Sequence, residues 1–424
     1  MILSPKPTFR EAFRYWLKLG FISFGGPTGQ IAMMHKEVVE KKKWMPEDQF
    51  LHALNFCMLL PGPEAQQLAT YIGWTLNRTR GALAAGILFV LPSVFILWGL
   101  SWIYIAYGTI PSVAAMLYGL KPAVVAIVAE AVIRIGKKSL KTRGLVVLAA
   151  SSFLAIYFLN VPFPLLVFTA GIIGYLLDHR LSGKAKADNP TAAETAQYTI
   201  SGGWSRTVRI AAFGIILWSS PAILLGMWLG WDSIFVNIGI LFSKAALVTF
   251  GGAYAVLGYI SQQAVNHYGW LLPEQMMDGL ALAETTPGPL IMVNQFVAYV
   301  AAYLHAPGLP PVIAGAIGGL LATWVTFVPS MLWIFIGAPY IETLRRNAKL
   351  SSALTAITAA VVGVVLNLAV NFSHHTLLPE AGGFDWYALA ASLIIFMGMT
   401  TFKWGMVPVI IGSAVTGFFW KMFV

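Results

Sequence analysis

Two short motifs, each written twice, hold the residues best placed to do chemistry. FGG stands at Phe24, Gly25 and Gly26 and again at Phe250, Gly251 and Gly252. PGP stands at 61–63 and again at 287–289, and both repeats share an offset of 226 residues. Glycine reaches backbone geometries that other residues avoid. Proline suits the first position of a helix, because its missing N–H had no partner there. Each motif therefore reads as the end of one half-helix and the start of another. Pro27 and Pro63 would start half-helices in the first half of the chain and Pro289 in the second, where Ala253 replaces the proline after FGG. A half-helix start presents free N–H groups and a partial positive charge, which suits an anion. Gly25, Gly26, Gly62, Gly251, Gly252 and Gly288 would line such a site, together with Pro27, Pro63 and Pro289. The competing reading makes these residues kinks and packing points of apolar helices. One break alone would favour that reading; four breaks in two repeats favour the site.

Charged residues lie beside the breaks. Glu64 directly follows the first PGP, and Glu284 precedes the second in ALAETTPGP. They are not equivalent under the offset, since Glu64 maps to Leu290 and Glu284 to Met58. Ionisable groups inside apolar segments are costly and mark function. Burial disfavours the charged form of a carboxyl group, so both are candidate proton carriers. The alternative for each is a carboxylate capping a half-helix start. Lys18 and Lys244 match under the offset, ahead of each FGG, and Lys121 precedes Pro122 inside a span. A cation there could assist anion capture, or it could snorkel to the nearest interface. Arg14, one turn before Lys18, favours snorkelling at that position. Glu130 and Arg134 are spaced as a structural helix pair. His35, His52 and His267 lack metal-ligand spacing, and His374-His375 reads as part of a loop. Trp44 and Trp270, also matched, read as interfacial anchors.

The elements that must position these residues are set by composition. Hydrophobic residues make up 58% of the 424, charged residues 10%, and mean hydropathy is +0.74. Soluble domains carry roughly a quarter charged residues. A soluble fold could not hide this much apolar surface, so the solvent is lipid. The fold class is therefore an all-α polytopic membrane protein, because only helices and closed barrels satisfy the backbone in lipid and runs near 20 residues suit helices. The net charge of +10 does not point to nucleic acid, because the basic residues gather in short loops. One cysteine, Cys57, excludes an internal disulfide and an all-cysteine metal site. The opening MILSPKPTFREAFRYW is basic and amphipathic and does not read as a cleavable signal. There is no GxxxxGK[ST], HExxH or GxSxG, so neither nucleotide-driven transport nor hydrolysis finds support. The chain reads as a non-enzyme without cofactor or metal.

Apolar segments run over 10–34, 50–77, 81–107, 111–134, 144–160 and 163–178. A polar linker follows over 179–206, then 208–230, 234–261, 276–304, 308–339, 351–371, 386–402 and 404–423. That is six segments, one extra, and six more. The ungapped register from Lys18 to Pro63 holds 11 identities in 46 positions. Two repeat halves, 1–178 and 233–424, are thus joined by 179–232, a cytoplasmic linker plus one connecting helix. Arg134, Lys137, Lys138, Lys141 and Arg143 mark one basic loop, and Arg345, Arg346 and Lys349 another. Placed inside, they alternate correctly with the loops that lack Lys and Arg. The extra helix then starts the second half on the opposite side, so the repeats are inverted, with the N-terminus cytoplasmic and the C-terminus outside. Lys36 and Lys41 to Lys43 fit this scheme if segments 10–34 and 50–77 are re-entrant, and violate it if both span. The first option is preferred.

The blocks FGGPTGQIAMMHKEVVEKKKW, LLPGPEAQQLATYIGW, LVTFGGAYAVLGYI and ALAETTPGPLIMVNQF resemble the chromate ion transporter family, in its long-chain two-domain type. The resemblance covers about 10–135 and 236–365. It implies a bacterial or archaeal inner-membrane protein that exports chromate, confers chromate resistance and is driven by protons or membrane potential, as an antiporter would be. The partners it implies are chromate or a similar oxyanion, the lipid bilayer and a coupling proton. Sulfate and related dianions share chromate's shape and charge, and the sequence does not separate them. A passive anion channel is the competing class, although a channel would more naturally show charged rings or carbonyl filters. A homo-oligomer stays open.

Overall fold

Helix boundaries follow local chemistry that the sequence displays. Thr8 caps the first helix, α1 (Phe9–Ile22), in a reciprocal box with Glu11. Its inner face buries Trp16 and Leu19. The FGG break follows, and α2 (Gly26–His35) begins with Pro27 in its first turn and runs into a π-helical turn, Lys36–Lys41. Next come α3 (Glu47–Cys57), the PGP break, and α4 (Glu64–Tyr107). Non-helical backbone at Asn77 and Arg78 divides α4 into two arms. Then come α5 (Pro111–Ser139), α6 (Arg143–Leu159), α7 (Phe163–Leu176) and α8 (Trp204–Leu229). The second half holds α9 (Ile234–Val248), α10 (Ala253–Ser261) with its own π turn, Gln262–His267, and α11 (Pro273–Thr285). A 3-10 turn, Leu290–Met292, leads into α12 (Val293–His305). The chain closes with α13 (Pro311–Gly337), α14 (Ala348–Leu377), α15 (Trp386–Thr400) and α16 (Met406–Phe423). These positions come from a computed structural model that describes residues 6–177, 203–250, 252–337, 348–379 and 382–423.

The protein is an all-α polytopic membrane protein. Among the described residues six helices are long and apolar enough to cross a membrane: α4, α5, α8, α13, α14 and α16. The division of the segment 50–77 at PGP, between α3 and the first arm of α4, is as expected. Some sequence expectations shift in detail. Most of the polar linker lies outside the described residues, and its last residues already belong to α8. His374 and His375 sit in the last turn of α14 and not in a loop, because that helix outlasts its apolar run. Trp270 is buried and stacks on Tyr268 at 4.3 Å.

Packing repeats between the halves. The two arms of α4 lie back to back, with Gly73 against Gly81 and Gly86 against Thr70. The pair α12 and α13 does the same, with Gly318 against Ala298 and Ala302. Small residues let these backbones approach closely. The turn of the α4 hairpin is tied to the chain start, where the Asn77 side-chain amide donates to the Pro7 carbonyl at 3.1 Å. Trp44, beyond α2, returns to the side of α1, edge-on to Tyr15 with ring centres 5.7 Å apart. α1 lies along α4, as α9 lies along α13. The long helices are exchanged: α5 packs on α15 and α16, and α14 packs on α6 and α7. Each half therefore completes the other, and the breaks are carried to a shared interior.

Candidate functional site

The four backbone breaks meet in pairs across the halves. The Gly288 N–H donates to the Ser23 carbonyl at 2.9 Å, and the Gly62 N–H donates to the Thr249 carbonyl at 2.8 Å. Donors and acceptors are related by the same 226-residue offset, so these are one contact made twice. Gly62 and Gly288 have φ of +122° and +107°, a region that glycine enters freely and side chains resist. A Cβ on Gly62 would press on Gln67 and Ser330, and one on Gly288 would collide with Ser93. Side chains brace each contact. The Gln67 amide donates to the Pro61 carbonyl at 2.7 Å, and the Ser330 hydroxyl donates to Gln66 at 2.8 Å. On the other side the Ser93 hydroxyl donates to the Pro287 carbonyl, and the Gln30 amide donates to Ser23 at 2.9 Å and Gly288 at 2.6 Å. Buried carbonyls at a helix break need such partners.

Beside the second contact lies a narrow cleft, closed to a water-sized molecule in this conformation and lined by Gly25, Gly26, Glu284, Thr286, Gly288 and Leu290 among others. Two helix starts adjoin it. Gly25 caps α2, and Pro289 caps the 3-10 turn that opens at Leu290. The first N–H groups of such starts have no partner within the helix, so an anion in the cleft would find donors. Glu284 is buried, and its Oε1 accepts from the Tyr254 hydroxyl at 2.5 Å. The Arg134 guanidinium stands over the Tyr254 ring at 5.8 Å and is paired with Glu130 at 3.1 Å. A carboxylate and an anion-suited backbone thus share the cleft, with the half-buried Arg134 cation reached through Tyr254.

Of the residues singled out from sequence, Gly25, Gly26, Glu284 and Gly288 come together at this cleft. Pro27 and Pro289 flank it in the chain. Gly62 and Pro63 belong to the paired contact at the other PGP, and Gly252 caps α10. Gly251 lies outside the described residues. Glu64 opens α4, half-buried, close enough to Lys138 for the two charges to interact. Lys18 and Lys244 are exposed on α1 and α9, on the faces opposite Trp16 and Phe242, and do not line the cleft. Lys121 is half-buried on α5, within electrostatic reach of Asp278. Asp278 is itself buried and accepts from the Tyr104 hydroxyl at 2.9 Å. Among the described residues no group of three or more His, Cys, Asp or Glu side chains could hold a metal ion.

Sequence reasoning passed over Gln30, Ser93 and Tyr254 and assigned Arg134 a purely structural role. Comparing the repeats for identical residues selects Gly, Pro and Lys. Gln30 and Tyr254 stand opposite Val256 and Thr28, so they are visible only to a search for polar residues that differ between the halves.

Residues 10–175 and 236–418 match the family described as Chromate transporter. A chromate transport protein of Pseudomonas aeruginosa is 29% identical over 431 residues, covering 99% of this chain and 94% of that protein. One of Cupriavidus metallidurans is 27% identical over 368 residues, covering 87% and 83%. An uncharacterized transporter of Methanocaldococcus jannaschii is 27% identical over 413 residues, covering 97% and 94%. No solved structure matches the chain. With both halves matched and the paired FGG and PGP breaks at its centre, the chain belongs to the chromate transporter family.

Proposed function

We propose that the protein is a secondary transporter that exports chromate from the cytoplasm and so confers chromate resistance, with movement coupled to protons or to the membrane potential. The observation that carries this reading is the cleft where Gly25 and Gly26 of one half meet Gly288 and Glu284 of the other. Broken helices meeting at a repeat interface are how many secondary transporters bind ions. A tetrahedral dianion needs converging N–H donors, which paired helix starts supply. It also needs the neighbouring carboxylate neutralised, since two like charges in one small cleft repel. Glu284 is therefore the first candidate for the proton-carrying group and Glu64 the second. Relatives named for chromate transport support chromate as substrate.

The halves are read as inverted repeats in a bacterial or archaeal plasma membrane. The bond from Asn77 to Pro7 supports first-half hairpins that enter from the side of the N-terminus. The second arm of α4, then α5, α6, α7 and α8 make five passes before α9, so the second half's hairpins enter from the other side. Lys36, Lys41 to Lys43 and the loop after α5 then share the cytoplasmic face. In a protein whose Cys57 is replaced by alanine, Lys141→Cys and Gly382→Cys should label from opposite sides of the membrane. Labelling from one side would sink the inverted arrangement.

The functional test is uptake of labelled chromate into inverted vesicles, with sulfate as competitor and an imposed pH gradient. Accumulation against the chromate gradient is expected, abolished when the pH gradient and potential are dissipated. Flux that only equilibrates would make the protein a passive anion channel. Stronger competition by sulfate than by unlabelled chromate would move the substrate to sulfate.

A further inference from the structure

The lysines offered by the sequence to an entering anion stand away from the cleft; Arg134, read as structural, does not line it either but is coupled to its carboxylate through Tyr254. Tyr254, the second residue of α10, makes two contacts at once. Its hydroxyl donates to Glu284 on α11 at 2.5 Å, and its ring faces the Arg134 guanidinium on α5 at 5.8 Å. The Arg134 Nε lies 3.2 and 3.1 Å from the two Glu130 oxygens. Three helices are thus linked through one side chain. The charged and titratable groups acting on Glu284 are Tyr254, Arg134 and Glu130.

We propose that Tyr254 is a positioning residue that ties the cleft carboxylate to the Glu130–Arg134 pair, and that Arg134 supplies the positive charge an entering oxyanion meets. The inference rests on the transporter reading above. A tyrosine is suited to both contacts, since its ring face attracts a cation and its hydroxyl donates to a carboxylate. With Glu284 ionised, the Arg134 field is opposed by two carboxylates. With Glu284 neutral, one carboxylate remains, the net charge rises from −1 to zero, and the region no longer repels an anion. Anion binding and the protonation state of Glu284 are then linked, and each changes the other's affinity by the same factor. The first half has Thr28 and Met58 at the positions of Tyr254 and Glu284, so the arrangement has no counterpart at the other break.

The test uses the full-length protein in proteoliposomes, with labelled chromate flux measured across pH and chromate concentration. Tyr254→Phe keeps the ring and removes the hydroxyl. It should raise the KM for chromate and flatten the pH dependence of that KM. Arg134→Gln should raise KM about tenfold, the equivalent of roughly 1.4 kcal/mol of lost binding, with Arg134→Lys recovering part of the loss. Tyr259→Phe is the control; Tyr259 stacks on Phe163 at 5.7 Å, and its change should leave KM and pH profile as they were. Each variant is first shown to be monodisperse, and if Arg134→Gln does not fold, Arg134→Lys and Tyr254→Phe decide. Wild-type flux together with unaltered KM and pH profile in the Tyr254 and Arg134 variants overturns this inference alone. Wild-type vesicles that move no chromate overturn the transport reading and this inference with it.

Discussion

The two halves of the molecule build the same backbone and furnish it differently. π turns at Lys36–Lys41 and Gln262–His267 and helices beginning at Glu47 and Pro273 keep the 226-residue register. So do the two cross-half hydrogen bonds made by Gly62 and Gly288. The side chains around the bonds do not. The first half carries Gln30, Met58 and Glu64 where the second carries Val256, Glu284 and Leu290. Each half thus contributes one carboxylate, but from opposite arms of its second hairpin. Shared geometry conserves the places where backbone donors can converge, and divergent side chains give the two sides different work.

Substitutions at the paired glycines should have the largest effect and would break the comparison if they differed greatly. Valine at either position faces a positive φ and an occupied neighbour, a strain of roughly 2–5 kcal/mol. Gly288→Val and Gly62→Val are each expected to reduce chromate flux to background while the protein still reaches the membrane. Gly288→Val should lower thermal stability the more, because its added atom meets Ser93 more closely than that of Gly62 meets Ser330. Normal flux in both would place the anion path elsewhere.

The carboxylates sharpen the comparison. Glu284→Gln keeps the shape of a neutral carboxyl group and removes its titration. Chromate exchange is expected to survive in this variant, with its pH dependence lost. Glu64→Gln should produce the smaller change, since Glu64 stands at the other contact. A wild-type pH profile in both would remove these residues from proton coupling and leave the transporter assignment standing.

A smaller difference is expected between Gln30 and its counterpart. Gln30→Ala strips a donor from the Ser23 and Gly288 carbonyls, a cost of about 1–3 kcal/mol. Thermal unfolding in detergent should show it, together with reduced flux, because the break itself loosens. Val256→Ala removes buried apolar volume but no donor, so it should lower stability with flux retained. Equal flux in the two variants would mean that Gln30 serves packing alone.

The least effect belongs to the matched lysines. Lys18 and Lys244 are exposed and off the cleft. Lys18→Gln and Lys244→Gln should each change KM by less than about twofold, as for a screened surface charge. A tenfold rise in either would show that α1 or α9 turns its exposed face to the anion during transport.

Composition and periodic motifs were sufficient for the membrane environment, the helical class, the repeat and the positions of its breaks. These properties are local or additive: lipid demands apolar runs, and a helix ends where glycine and proline end it. Gly25, Gly26, Glu284 and Gly288 were legible for that reason, as residues at a break. The partners of those residues were not legible. That Gly288 meets Ser23 and that Gln30 holds both follow from α4 packing against α12 and α13, and that Tyr254 joins Glu284 to Arg134 follows from the placing of α5. Most of these contacts bridge residues more than a hundred positions apart, and no local propensity encodes them. The lysines show the converse. Their spacing to FGG is the same in both halves, but the helix face they occupy is set by the burial of Trp16 and Phe242 against the core. Sequence determined which residues interrupt the helices; tertiary packing decided which of them face one another, because only packing brings distant backbone groups within hydrogen-bonding distance.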